Sequence, residues 1–87
     1  MNAPLTVDAG GTTIRLDLPT PSPVRLTIHD VTGRLVRSLD EGALGVGVHS
    51  IFWDGRDDGG RRAARGIYLA RVSAASGTRT ARFLIWR

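Results

Sequence analysis

Apolar and polar residues alternate along this chain in short runs that are separated by glycine, proline and aspartate. In residues 12–18, Ile14, Leu16 and Leu18 fall on one side and Thr13, Arg15 and Asp17 on the other. That period of two predicts a strand with one buried face. Val24, Leu26 and Ile28 repeat the pattern against Arg25, Thr27 and His29. Between the two runs, Pro19, Pro21 and Pro23 remove backbone donors, which predicts a connection or an edge. Residues 30–33, Asp-Val-Thr-Gly, form a turn signal: Asp30 can bond its own backbone and Gly33 can take positive φ. Residues 34–39 should then return as a hairpin partner.

Further on, residues 40–47 are rich in glycine and read as a loop. Residues 48–53 read as a strand with His49, Ile51 and Trp53 on one face and Val48, Ser50 and Phe52 on the other. Because both faces carry large apolar groups, the expected position is central, with Phe52 in the core beside Trp53 and Tyr68. Residues 54–65 are the longest polar segment. Residues 66–74 and 78–86 predict a final hairpin around Ala75-Ser76-Gly77, and residues 5–8 a short first strand. No helical period, internal repeat or low-complexity tract occurs. Short strands at close intervals predict an all-β, antiparallel sandwich of about seven strands, formed as one domain by residues 1–87, with residues 1–11 a poorly defined lead.

Composition narrows the picture. The chain has 87 residues and no cysteine, so its core is thin, no disulfide supports it, and cysteine-based zinc patterns are excluded. The net charge of +4 and pI near 11.3 admit an anionic partner. All twelve basic residues are arginine and only Arg61-Arg62 are adjacent, which is not the basic run of a nucleic-acid tail. A single-strand nucleic-acid surface would also need exposed aromatics as stacking platforms. No apolar run is long enough to span a membrane. Residues 1–10 lack a charged start and an apolar stretch, so they do not read as a signal peptide.

Trp53-Asp54-Gly55 carries a clear structural signal. The indole can fill much of a thin core, with its N–H bonded to a nearby carbonyl. Asp54 can cap turn amides and Gly55 can take positive φ. Asp57 and Asp58 can serve the rest of the loop in the same way. The alternative for Asp54, Asp57 and Asp58 is calcium binding, which oxygen ligands favour. Their spacing does not match the helix-flanked calcium loop, and Arg56, Arg61 and Arg62 stand among them. Gly66 opens the strand that bears Tyr68, a residue suited to the tyrosine corner of sandwiches. His29 and His49 have no nucleophile elbow or metal-ligand partner. Gly10-Gly11 and Gly59-Gly60 lack the helix and lysine of a phosphate cradle. No cofactor and no catalytic constellation is expected.

The runs Val24-Arg25-Leu26-Thr27-Ile28-His29-Asp30-Val31-Thr32-Gly33-Arg34-Leu35-Val36-Arg37, Gly47-Val48-His49-Ser50-Ile51-Phe52-Trp53-Asp54-Gly55-Arg56-Asp57-Asp58 and Gly66-Ile67-Tyr68 resemble the immunoglobulin-like domain of flagellar hook-capping proteins. They are equally similar to C-terminal modules of secreted bacterial proteins, including type IX secretion sorting domains. From the sorting modules the chain departs at Asp8-Ala9-Gly10-Gly11, in place of an asparagine- and proline-rich lead, and at Arg82, in place of a lysine. The resemblance implies a non-catalytic accessory, attachment or sorting module of an exported bacterial protein, acting outside the cytoplasm through protein partners. Its alternative is a self-assembling subunit of an extracellular, hook-cap-like structure. A nucleic-acid-binding β domain is the third. The expected mechanism is docking at an exposed strand edge, with Arg79, Arg82 and Arg87 guarding it or contacting an acidic partner.

Overall fold

A computed structural model describes residues 5–8, 10 and 13–86. Eight strands occur in chain order: β1 (Thr6–Val7), β2 (Thr13–Leu18), β3 (Ser22–Asp30), β4 (Leu35–Ser38), β5 (Gly42–Leu44), β6 (Gly47–Phe52), β7 (Gly66–Ala74) and β8 (Gly77–Ile85). They form two antiparallel sheets, β1-β2-β6 and β4-β3-β7-β8, and β5 pairs with the start of β3. The expected all-β immunoglobulin-like sandwich is therefore the fold, with eight strands instead of about seven.

Alternation places the core as read. Ile14, Leu16 and Leu18 from β2, Val24, Leu26 and Ile28 from β3, Ala70 and Val72 from β7, and Phe83 and Ile85 from β8 are all buried. Trp53 follows β6 and is fully enclosed. It meets Tyr68 and Phe83 edge-on, with ring centroids 6.4 and 6.1 Å away. Edge-on contact sets the positive ring edge against a negative face. An indole of this size removes roughly 150–250 Å² from water, on the order of 4–6 kcal/mol of apolar burial at about 25 cal/mol per Å².

Three expectations are corrected. Residues 40–47 are not only loop, because Gly42–Leu44 pair with Ser22–Val24. Backbone pairing needs no apolar period, and only Leu44 of the three is even half-buried. Pro23 lies at the start of β3, opposite Ala43 and ahead of the pairing with β7, the edge position that its missing N–H predicts. Among the described residues β6 is an edge strand, not a central one: it pairs with β2 alone. Phe52 is accordingly not core; it is 71% exposed on the outer face. Large apolar groups on both faces mark a central strand only where both faces of the sheet are covered, and a two-layer sandwich leaves its outer faces wet. Thr12, expected to begin β2, and most of the 1–11 lead lie outside the described residues.

The β3–β4 hairpin contains a bulge. Ile28 pairs with Arg37 and His29 with Leu35, so the register shifts by one residue between them. Val36 and Arg37 thus both stand opposite Ile28. Val36 is buried, while Arg37 is directed at the rim where residues 54–58 pass. An extra residue of this kind re-aims a side chain without breaking the strand.

Candidate functional site

One end of the sandwich is built from two turns with the same chemistry. In residues 30–34, Oδ1 of Asp30 accepts the amides of Thr32 and Arg34 at 2.9 and 3.1 Å and the Thr32 hydroxyl at 2.6 Å. The amide of Gly33 donates to the Asp30 carbonyl at 3.0 Å, and that of Asp30 to the Arg34 carbonyl at 3.0 Å. In residues 57–61, Oδ1 of Asp57 accepts the amides of Gly59 and Arg61, both at 2.9 Å. The amide of Gly60 donates to the Asp57 carbonyl at 3.0 Å, and that of Asp57 to the Arg61 carbonyl at 2.8 Å. Gly33 has φ +90° and Gly60 φ +85°, the conformation that a side chain disfavours. The shared pattern is Asp-x-x-Gly-Arg, which appears twice in the sequence at residues 30–34 and 57–61. The sequence reading found the first turn and missed that the second repeats it; the identical spacing was the available signal.

The second turn is tied to the core. Trp53 Nε1–H donates to the Arg56 carbonyl at 2.9 Å, the bond expected of a buried indole. Asp54 accepts the Arg56 amide at 2.9 Å, Gly55 has φ +79°, and the Ala63 amide donates to the Gly55 carbonyl at 2.7 Å. Asp58 accepts the Ser38 amide at 3.1 Å, and its own amide donates to the Val36 carbonyl at 2.9 Å. Those bonds cover the outer edge of β4. Arg37 completes the seam, with Nη1 3.4 Å from Asp54 and 3.2 Å from the Arg56 carbonyl and Nε 3.8 Å from Asp58. Arg37 was not singled out from sequence, because its convergence depends on the bulge. Tyr68 behaves as a corner tyrosine: its ring is buried and its hydroxyl donates to the Ala64 carbonyl at 2.6 Å. Gly66 opens β7 at φ +154°.

Charge at this end has a local structural use. The Thr32 hydroxyl bond is the largest influence on the Asp30 carboxyl; desolvation opposes it, and with the Arg34 and Thr32 amides and the Arg34 cation added the carboxyl is held below the ordinary aspartate range. Asp54, Asp57 and Asp58 each serve backbone amides, and among the described residues no group of three ligating side chains is gathered around one point. His29 is held between the Thr27 hydroxyl at 2.9 Å and the Gly33 carbonyl at 3.3 Å. With the proton on Nδ1 the neutral ring can donate to the carbonyl while Nε2 accepts from threonine. His49 Nε2 lies 2.7 Å from the Gly45 carbonyl.

The open surfaces are strand edges. Among the described residues β8 pairs with β7 only, and it carries Arg79 and Arg82, both exposed; Arg87 lies outside the described residues. The opposite sheet ends in β6, where Val48 and Phe52 are 58% and 71% exposed. The second exposed aromatic, Trp86, follows β8. Phe52 ends β6 and Trp86 follows β8, strands of different sheets.

These features define the class as an immunoglobulin-like β-sandwich closed by a tryptophan-anchored loop. The sequence profile of the FlgD Ig-like domain matches residues 3–78. The chain belongs to the FlgD Ig-like domain family. It is 44% identical over 54 residues to the basal-body rod modification protein FlgD of Escherichia coli strain K12, and 41% identical over 54 residues to that of Salmonella typhimurium strain LT2. Each match takes in 62% of this chain and 23% of the relative, so the chain matches about a quarter of those proteins. The crystal structure of FlgD from P. aeruginosa superposes with TM-score 0.70 at 27% identity, covering 90% of this chain and 62% of that one. PorZ, a bacterial surface component of the type IX secretion system of Porphyromonas gingivalis, gives TM-score 0.63 at 27% identity, covering 91% of this chain and 10% of PorZ.

Proposed function

We propose that this chain is a non-catalytic interaction domain of a flagellar hook-cap-type assembly, working outside the cytoplasm through protein partners. The observation that carries the reading is the family match over residues 3–78, which takes in β1 to β7 and the tryptophan-anchored loop and ends at the start of β8. FlgD from Xanthomonas campestris, a structure described as giving insight into the hook capping essential for flagellar assembly, supports it with TM-score 0.61 at 28% identity over 92% of this chain and 59% of that one. The sequence reading placed an attachment or sorting role first and hook-cap assembly second; the relatives reverse that order.

Attachment or sorting within an exported protein stands as the second reading, favoured by the likeness to PorZ. In either role the contacts fall on strand edges and outer faces. At the β8 edge, Arg79 and Arg82 discourage indiscriminate strand pairing and suit an acidic neighbour.

Removing the encoding segment in the source bacterium separates the two. Loss of hooks and motility supports hook capping. Normal swimming with an exported protein left in the wrong compartment overturns hook capping in favour of sorting. Truncation at Thr78 is a poor substitute, since β8 supplies Phe83 and Ile85 to the core and its loss unfolds the domain.

A further inference from the structure

β6 differs from the other sheet edges. The outer edge of β4 is covered by Asp58, β1 has two residues, and β8 displays Thr78, Arg79, Thr80 and Arg82. β6 is six residues long, pairs on one side only and contains no charged residue between Gly47 and Phe52. An uncharged, β-rich edge with exposed apolar groups is what folded proteins usually block. Here both Val48 and Phe52 are left more than half exposed.

From this we infer that β6 is a homotypic seam, pairing antiparallel with β6 of a second copy of this chain about a two-fold axis at Ser50. The inference rests on the assembly reading and gives it a specific contact.

The pattern is self-complementary about that residue. Val48 and Phe52 are equidistant from Ser50, so centring the register there sets Val48 against the partner's Phe52 and Phe52 against the partner's Val48. On the other face Ile51 meets the partner's His49. A two-fold contact requires one patch to fit itself in this way. Cross-strand aromatic and β-branched pairs are among the favourable ones.

Charge agrees. The nearest charges on the outer face are one strand back, where Arg15 pairs with Ser50 and Asp17 with Val48 across β2 and β6. With strands roughly 4.8 Å apart, Arg15 and the partner's Arg15 are separated by three spacings, about 14 Å, which exceeds the Debye length of about 8 Å at physiological salt. Arg15 and the partner's Asp17 lie on a still longer diagonal and are screened as well. A chain of net charge +4 thus has an edge at which a like-charged copy meets little repulsion. Pairing yields one continuous six-stranded sheet, β1-β2-β6 followed by its symmetry mate.

The test is sedimentation equilibrium of the 87-residue chain over a concentration series, with hydrogen exchange of the β6 amides. A dimer whose β6 amides gain protection with concentration is expected, and it should persist at high salt. Ser50→Lys sets two cations face to face on the axis and should weaken association at least tenfold. Phe52→Lys should do the same by removing the apolar pair. Leu84→Lys, on the outer face of the other sheet, should leave it unchanged. Circular dichroism melts establish that each variant folds. A chain monomeric at millimolar concentration overturns the seam, as does a dimer indifferent to both β6 substitutions. Those failures are separate from failure of the hook-cap reading: a strain that loses its hooks when the segment is removed, while the purified chain stays monomeric, refutes the seam alone. A strain that swims normally while the chain dimerises through β6 refutes hook capping alone.

Discussion

The turns at residues 30–34 and 57–61 share four backbone-amide hydrogen bonds, a left-handed glycine and the Asp-x-x-Gly-Arg sequence, yet they differ in what holds them. The first joins two strands of a sheet and gains its rigidity from the β3–β4 ladder. The second lies in a segment whose only pairing is the isolated Arg56–Arg62 bridge. Its rigidity comes from Trp53, whose indole bond to Arg56 fastens it to the core, and from the Arg37 and Asp58 contacts with β4. One local device therefore serves two architectures, and tertiary anchoring decides which turn depends on the core.

The strongest way to break the comparison is Trp53→Ala. It should cost about 3–5 kcal/mol in a denaturant titration. Hydrogen exchange should show residues 54–65 opening first, with 30–34 still protected; equal opening of both would mean the anchor is not the indole. Next in size are Gly33→Ala and Gly60→Ala. A Cβ meets nothing within 4 Å at either site, so the cost is backbone strain alone, about 1–2 kcal/mol each. Equal penalties would show the two turns to be locally equivalent. A much larger penalty at Gly60 would show that strain there propagates to the core.

Tyr68→Phe sharpens the loop side by removing the hydroxyl bond to Ala64. It should cost about 1 kcal/mol in a thermal melt, without altering residues 30–34. The smallest effect concerns acid. Because the folded state lowers the Asp30 pKa below the ordinary value of 3.8, its contribution is complete above that value and fades as pH falls through the lower folded one. Asp30→Asn should shrink the loss of stability between neutral pH and that window, as read by melts at pH 7 and pH 3.

Much of the fold was legible because it is local. Ile14, Leu16 and Leu18, and again Val24, Leu26 and Ile28, point inward by simple alternation. The carbonyl partner of Trp53 and the corner role of Tyr68 follow from the need to satisfy a buried N–H or O–H. What escaped was non-local. Whether β6 is central or at an edge depends on which strand lies beyond it, and residues 48–53 hold no such information. The exposure of Phe52 follows from the same missing neighbour. Arg37 reaches Asp54 and Asp58 only because a bulge turns it, and β5 exists because the start of β3 offers it a ladder.

The two indoles, one enclosed and one 67% exposed, equip the molecule with a pair of optical reporters. Light emitted from Trp53 originates in an apolar cage, and that from Trp86 in water. Replacing Trp86 by phenylalanine leaves a single chromophore whose emission should move to longer wavelength only when the two layers part.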